Sequence, residues 1–343
     1  MTPDSSLSSV APGFQRLTPA DKKELSRALA AADRERQPIR ELNLTRLNRV
    51  LWFTPEDMTV KVETGITLQD LQTALARSKQ WLPIDPPHPE TLTIAELLAT
   101  NVSGPRRFGH GTIREHLIGL QVALADGRLA SSGGNVVKNV AGYDLMKLFI
   151  GARHSLGFAV EATFKLLPLP QAEAFVQSQP VSFDEAERLT VAVLDSELVP
   201  VSLDWHGPIA APALGVSGVG QAQAQAQARV VMGFAGTAED VPWQVRRAAA
   251  LGLTEPANLN YEREFWEELG AAAQTWAVLP SRLARALSEL KAVRFVARAG
   301  QGLIHYTGGM RPPVKETDPG VRALSRRIKD TFDPLHILPE LPA

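Results

Sequence analysis

The chain of 343 residues contains no cysteine. That excludes disulfides, thiolate zinc sites, cysteine-ligated iron–sulfur clusters and cysteine nucleophiles. It fits a reducing compartment. Charge of either sign is not in excess: 36 Lys and Arg against 37 Asp and Glu leave a net charge of −1, without the basic surplus of a nucleic-acid binder. No apolar run reaches the ~18 residues expected of a membrane span. The opening MTPDSSLSSVAPGF lacks the charged start and apolar core of a secretory signal. We therefore expect a cytoplasmic protein, peripheral to a membrane only through a partner.

Familiar catalytic patterns are missing too. There is no G-x-x-x-x-G-K-[ST] and no G-x-G-x-x-G after a strand, so neither a P-loop nor a Rossmann nucleotide site is indicated. The histidines are His88, His110, His116, His154, His206, His305 and His336. None forms an H-E-x-x-H pair, and no metal site is expected. Ser131-Ser-Gly-Gly134 lacks the nucleophile-elbow pattern of a hydrolase. No residue presents itself as a catalytic base.

What is present suits a globular chain: 44% hydrophobic and 21% charged residues, over a length that favours two domains. Thr18, Pro19 and an acid at 21 predict a helix start, running to about residue 32. Residues 58–63 alternate as a strand, with Gly65 turning into a helix capped by Thr67. The apolar run 113–125 ends in Asp126-Gly127, a turn signal. Residues 158–167 alternate as a strand, stopped by Pro168 and Pro170. Beyond 170 we expect helices near 182–196, 237–251, 262–273 and 281–290. Strands are expected at 201–205, 229–234, 293–296 and 303–306, giving an α+β region. The Gln-Ala repeat near 221–228 reads as a loop within a hairpin. A last helix leads to an Asp-Pro turn at 333. Trp205, Trp266 and Trp276 read as core or interface anchors.

Three segments carry a resemblance. They are Lys138-Asn-Val-Ala-Gly142-Tyr143-Asp144-Leu145, then Gly151-Ala-Arg-His-Ser-Leu156-Gly157, then Pro168-Leu-Pro170. Upstream stand LPIDPP (82–87) and ATNVSGPRRFGHGTIRE (99–115), and downstream FDPLHILP (332–339). In this order they resemble the FAD-binding domain of the vanillyl-alcohol oxidase / p-cresol methylhydroxylase (PCMH) superfamily. Within it they are similar to the FAD-binding subunits of bacterial glycolate oxidases. The resemblance implies an α+β fold: a PCMH-type FAD-binding domain of two α/β subdomains over 1–170, with its N-terminal part shortened. A smaller α+β cap domain would span 171–310, and a tail over 311–343 would return to the first domain. It implies FAD as cofactor. The residues it places at the cofactor are Pro83, Thr93, Asn101, Ser103, Gly104, Gly111, Thr112, Lys138, Gly142, Tyr143, Gly157 and Val160. Lys138 faces the flavin or is solvated. Asp144 serves the site or caps the helix after it. Arg106 and Arg107 face phosphates or form an exposed basic pair.

The physics of a dinucleotide site agrees with such segments, because small residues let backbone N–H groups approach a pyrophosphate. Two departures oppose it. No glycine occurs between Gly13 and Gly65, so the family's Gly-rich pyrophosphate loop is absent. Where the family has Thr-Ile-Gly-Gly, this chain has Thr93-Ile-Ala95-Glu96; Ala152 and His154 likewise replace a serine and a glycine. Hydrogen bonds to a charged group contribute roughly 1.5–3 kcal/mol each, so losing about three removes roughly three to six decades of affinity. A Glu96 carboxylate about 5 Å from a phosphate adds about 3 kcal/mol of repulsion; pointing to solvent or pairing with Arg106, Arg107 or Arg114 would relieve it.

Two functions follow as expectations. The first is an FAD-dependent oxidoreductase subunit that oxidises a small 2-hydroxy acid by hydride transfer to flavin and passes electrons on. Its partners would be a second flavoprotein subunit and an iron–sulfur subunit. The second is a non-catalytic interaction subunit of the same fold that has lost tight FAD binding.

Overall fold

The computed structural model describes residues 15–134, 144–207, 227–310, 312 and 317–341. Two large antiparallel sheets organise them. The first has five strands in the order Val50–Thr54, Thr59–Glu63, Phe158–Lys165, Leu117–Ala123, Leu129–Gly133. Helices Leu68–Ala76 and Ile94–Thr100 supply Leu68, Leu71, Leu75, Leu97 and Leu98 to a core shared with Val60, Val62, Ala162 and Phe164.

A second core lies at the N-terminal end. Helix Lys22–Glu35 contributes Leu25, Leu29 and Ala32, which meet Ile39, Ala95, Phe158, Val160, Ile337 and Leu338. The strand Phe158–Lys165 thus feeds both cores, so it is buried along nearly its whole length rather than on alternate residues. Its polar Glu161 is buried against Lys22 and Lys61.

The second sheet has eight strands. Its path runs Glu255–Ala257, Ala172–Gln177, Gln227–Gly236, Ser202–Gly207, Arg294–Arg298, Leu303–Thr307, Gln274–Ala277, and Val181–Ser182 also pairs Gln227–Gly236. Helices Phe183–Leu194, Asp240–Ala250 and Leu283–Leu290 complete one core with Leu203, Trp205, Val230, Met232 and Phe234. Trp205 is an anchor of that core, as its sequence setting implies, and its indole N–H donates to Thr190 Oγ1 at 2.8 Å. Ser202–Gly207 and Gln227–Gly236 form the expected antiparallel hairpin. The Gln-Ala tract between them falls almost wholly outside the described residues.

The tail returns to the first sheet. Helix Pro319–Phe332 carries Lys329 inward, and its ammonium donates to the carbonyls of Ser155, Leu338 and Pro339. Asp333 accepts from Lys329 at 2.6 Å and from the Ile337 and Leu338 amides. The Ile39 amide donates to Ile337 O at 2.7 Å.

Local readings are corrected in several places. The first helix is capped by Asp21, not Thr18, and starts at Lys22; the Asp21 carboxylate accepts from the Glu24 amide at 2.8 Å, a stronger cap than a hydroxyl three residues upstream. Asp144 makes no side-chain cap to the short turn Leu145–Leu148. The run 113–125 divides into one helical turn, Ile113–His116, and the strand Leu117–Ala123, with Gly127 at φ 81° in the turn that follows. Strands Val50–Thr54, Ala172–Gln177 and Gln274–Ala277 carry no clear alternation and went unread.

Candidate functional site

The described residues among those implied for the cofactor fall on the 82–87 loop, at both ends of helix Ile94–Thr100, on the 103–112 segment and at the start of strand Phe158–Lys165. Pro83 is buried in the 82–87 loop. Gly104 lies against that loop so closely that a Cβ there would stand 1.8 Å from Asp85 O. Its small size therefore serves backbone packing. Ser103 is buried, and its hydroxyl accepts from Arg107 Nη1 at 3.3 Å. Gly111 has φ 80°, and Thr112 forms a capping box with Glu115. Val160 packs in the N-terminal core, and Gly157 sits at φ 147° just before its strand. Lys138, Gly142 and Tyr143 lie outside the described residues.

Arg106 is neither exposed nor free for a phosphate. It donates to Asp85 Oδ2 at 3.1 Å and, with two guanidinium nitrogens, to Glu173 on strand Ala172–Gln177. It thereby ties the 82–87 loop to the second sheet. Its guanidinium also lies 5.9 Å from the Trp81 ring and 5.6 Å from the Phe175 ring. Burial pushes the Asp85 carboxyl up to about 7, although Arg106 draws it down.

Facing this loop is a charged group that sequence reading missed. Arg298, 1% exposed, donates to Asp204 Oδ2 and to Glu262 Oε1, each at 2.5 Å. Tyr261 Oη donates to Asp204 at 2.7 Å, and Trp266 Nε1 to Glu262 at 2.7 Å. Burial works to lower the Arg298 pKa, but the two carboxylates hold it above its ordinary value. Burial raises Asp204 to about 6 against the pull of Arg298. The strand pattern hid this group: Asp204 stands between Leu203 and Trp205, Arg298 follows Ala297, and the two pair directly across Ser202–Gly207 and Arg294–Arg298.

Between the loop and this group opens a cavity of about 410 Å³. Asp85, Glu90, Glu262 and Glu267 line it, against Arg263 and the Trp266 indole. Arg263 already faces Glu267 at 3.8 Å. Three of these carboxyl groups already face a cation: Asp85 meets Arg106, Glu262 meets Arg298 and Glu267 meets Arg263.

The other end is built on helix Ile94–Thr100. Its first-turn amides are all engaged by the protein. Ile94 N–H donates to Ile66 O at 3.0 Å, Ala95 N–H to Thr64 O at 2.7 Å, Glu96 N–H to the Thr93 hydroxyl at 3.2 Å, and Leu97 N–H to Thr93 O at 2.9 Å. Thr93 is thus a helix cap. Asn101 ends the helix at φ 53°, and its buried Oδ1 has no partner; an acceptor atom offers nothing to a phosphate. The Glu96 side chain meets none of the arginines named above. Its Oε1 lies 3.0 Å from His154 Nε2. The hydrogen bond from His154 holds Glu96 below the usual carboxylate range, against burial.

Residues 41–133 match the family described as FAD binding domain. The chain carries an FAD-binding domain. Residues of this chain are 31% identical over 159 positions to glycolate oxidase subunit GlcD of Bacillus subtilis (strain 168), 46% of this chain and 34% of that one. They are 34% identical over 135 positions to subunit GlcE of Escherichia coli (strain K12), 39% of this chain and 38% of that one. A D-lactate dehydrogenase of Anaerostipes hadrus is 34% identical over 133 positions, 38% of this chain and 27% of that one. These matches span well under half of the relatives' own length. A solved structure of alkyldihydroxyacetonephosphate synthase superposes with a TM-score of 0.68 at 16% identity, covering 94% of this chain and 74% of that one. The fold is therefore the expected mixed α+β fold of the vanillyl-alcohol oxidase type.

Within that fold, the start of helix Ile94–Thr100 does not fit a dinucleotide diphosphate. The amides at the helix start are spent internally, and a carboxylate stands beside them. No helix among the described residues is long and apolar enough to cross a membrane.

Proposed function

We propose that the chain is the FAD-domain subunit of an oxidoreductase assembly that oxidises a small 2-hydroxy acid. In such an assembly a hydride leaves the α-carbon for FAD, and the electrons pass onward through a second flavoprotein subunit and an iron–sulfur subunit. The observation that carries this reading is the FAD binding domain match over residues 41–133, together with relatives named as glycolate oxidase subunits and D-lactate dehydrogenases. The cofactor supplies the redox chemistry wherever it is held. A chain without cysteine contributes no cysteine-ligated cluster.

A second reading is favoured by the start of helix Ile94–Thr100, where the amides are engaged and Glu96 stands. Here the chain keeps the fold but not the flavin, and acts as a non-catalytic interaction subunit. The division at 1–170, 171–310 and 311–343 belongs to both readings, as does a cytoplasmic site of action.

The test is reconstitution. The assembly is prepared with and without this chain and assayed with glycolate and D-lactate and an artificial electron acceptor. A rate that depends on the chain supports its membership. An unchanged rate without it overturns both readings. Visible absorbance of the chain purified alone then separates them, since only the first expects flavin bands after free flavin is removed.

A further inference from the structure

Two sequence departures meet in space. Glu96 and His154 stand 58 residues apart, each where the family pattern that this chain resembles has glycine, and their side chains form one ion pair. The His154 backbone keeps a conformation suited to glycine. Arg153 and His154 are consecutive at φ 48° and 63°. Two adjacent non-glycine residues in that region are strained and persist only when the surroundings hold them.

The surroundings do hold them. Gly151 N–H donates to Leu98 O and Arg153 N–H to Ala99 O, both at 2.9 Å, docking the loop on helix Ile94–Thr100. On the far side Lys329 donates to Ser155 O at 2.9 Å. The His154 ring lies 5.3 Å from the Phe158 ring, tilted by 31°. His154 is 19% exposed and Glu96 51%, so the carboxylate faces solvent more openly than its partner.

We propose that Glu96 is a resident anion at the phosphate end of this FAD-domain fold, held there by His154, and that the pair excludes the dinucleotide from this chain. The idea rests on the second reading above and names its cause. A carboxylate carries the charge sign of a phosphate, and His154 supplies its opposing donor. The electrostatic consequence is repulsion of any second anion brought beside it.

The experiment is a titration of FAD into the purified full chain, read by flavin fluorescence, for the wild type, Glu96→Gly, His154→Gly and the double variant. The wild type should leave gel filtration without flavin. Glu96→Gly and the double variant should bind FAD at least tenfold more tightly than the wild type. His154→Gly alone should gain nothing, because it strips the carboxylate of its partner and leaves the charge. Should the glycine variants fail to fold, Glu96→Gln keeps the shape and should shift affinity in the same direction. Wild-type chain that retains FAD one-to-one, or Glu96 variants that bind no tighter, would overturn the proposal. Neither result bears on the reconstitution assay, in which assembly membership fails or stands separately.

Discussion

Lys329 Nζ lies 2.6 Å from Asp333 Oδ2, and both side chains are almost fully enclosed. One ammonium gathers three carbonyls from the 151–157 loop and the tail, while the carboxylate caps two tail amides. Lys329→Met leaves that carboxylate buried without its cation, which costs roughly 3–5 kcal/mol. Urea unfolding should show the midpoint fall with little change in slope. An unchanged midpoint would mean that the pair contributes no net stability.

Arg298 sits between two carboxylates that cannot share the space without it. Arg298→Met should destabilise by roughly 3–5 kcal/mol at neutral pH. Adding Asp204→Asn should recover part of the loss, because one buried charge is then removed. A double variant no more stable than the single one, in thermal unfolding at pH 7, would count against this account.

His305 and His206 predict an acid limit to stability. Burial first, then Arg298 and Arg107, lower His305 to about 3. Burial, then Arg229 and Arg294, lower His206 to about 4. In the unfolded chain both titrate near 6.5. A depressed folded pKa gives stability that is complete above the unfolded value and is lost as pH falls through the folded one. Each histidine therefore costs up to about 1.4 kcal/mol per pH unit between about 6.5 and its folded value. His305→Phe sacrifices the 3.0 Å contact with Thr275 but should flatten this slope by about one proton's share. Unfolding free energies at pH 6.5, 5.5 and 4.5 test it, and parallel profiles for variant and wild type would refute it.

Arg106 joins Asp85 to Glu173 across the two sheets. Lysine cannot reproduce its forked contacts or its place over Trp81 and Phe175. Arg106→Lys should therefore raise hydrogen exchange in the 82–87 loop and in Ala172–Gln177 together. Exchange confined to one of them would show that the arginine does not couple the two.

Much of this fold is visible in the chain as written. Thr67 caps its helix through the Asp70 amide as its spacing predicts, and the Asp-Gly turn and both hairpin strands stand where turn chemistry and alternation put them. Thr18 fails as a cap because Asp21 competes for the same helix. The motif segments carried the fold class, since their order reflects a whole architecture. The site was less legible. The chain as written leaves Arg106 open between a phosphate contact and an exposed basic pair, because its partners Asp85 and Glu173 lie 21 and 67 residues from it in sequence and only the tertiary fold brings them together. The sequence leaves Glu96 opposing a phosphate, facing solvent or paired with Arg106, Arg107 or Arg114, and its partner is none of these but His154. The Arg298 group had no local pattern at all.

The tail contact also bears on the order of folding. Ile337 and Leu338 share one core with Leu25, Leu29 and Ile39, which lie far from them along the chain. Loop-closure entropy must be met before contacts so distant in sequence stabilise anything. This core should therefore close after the hairpins of the two sheets, whose partners are neighbours in sequence.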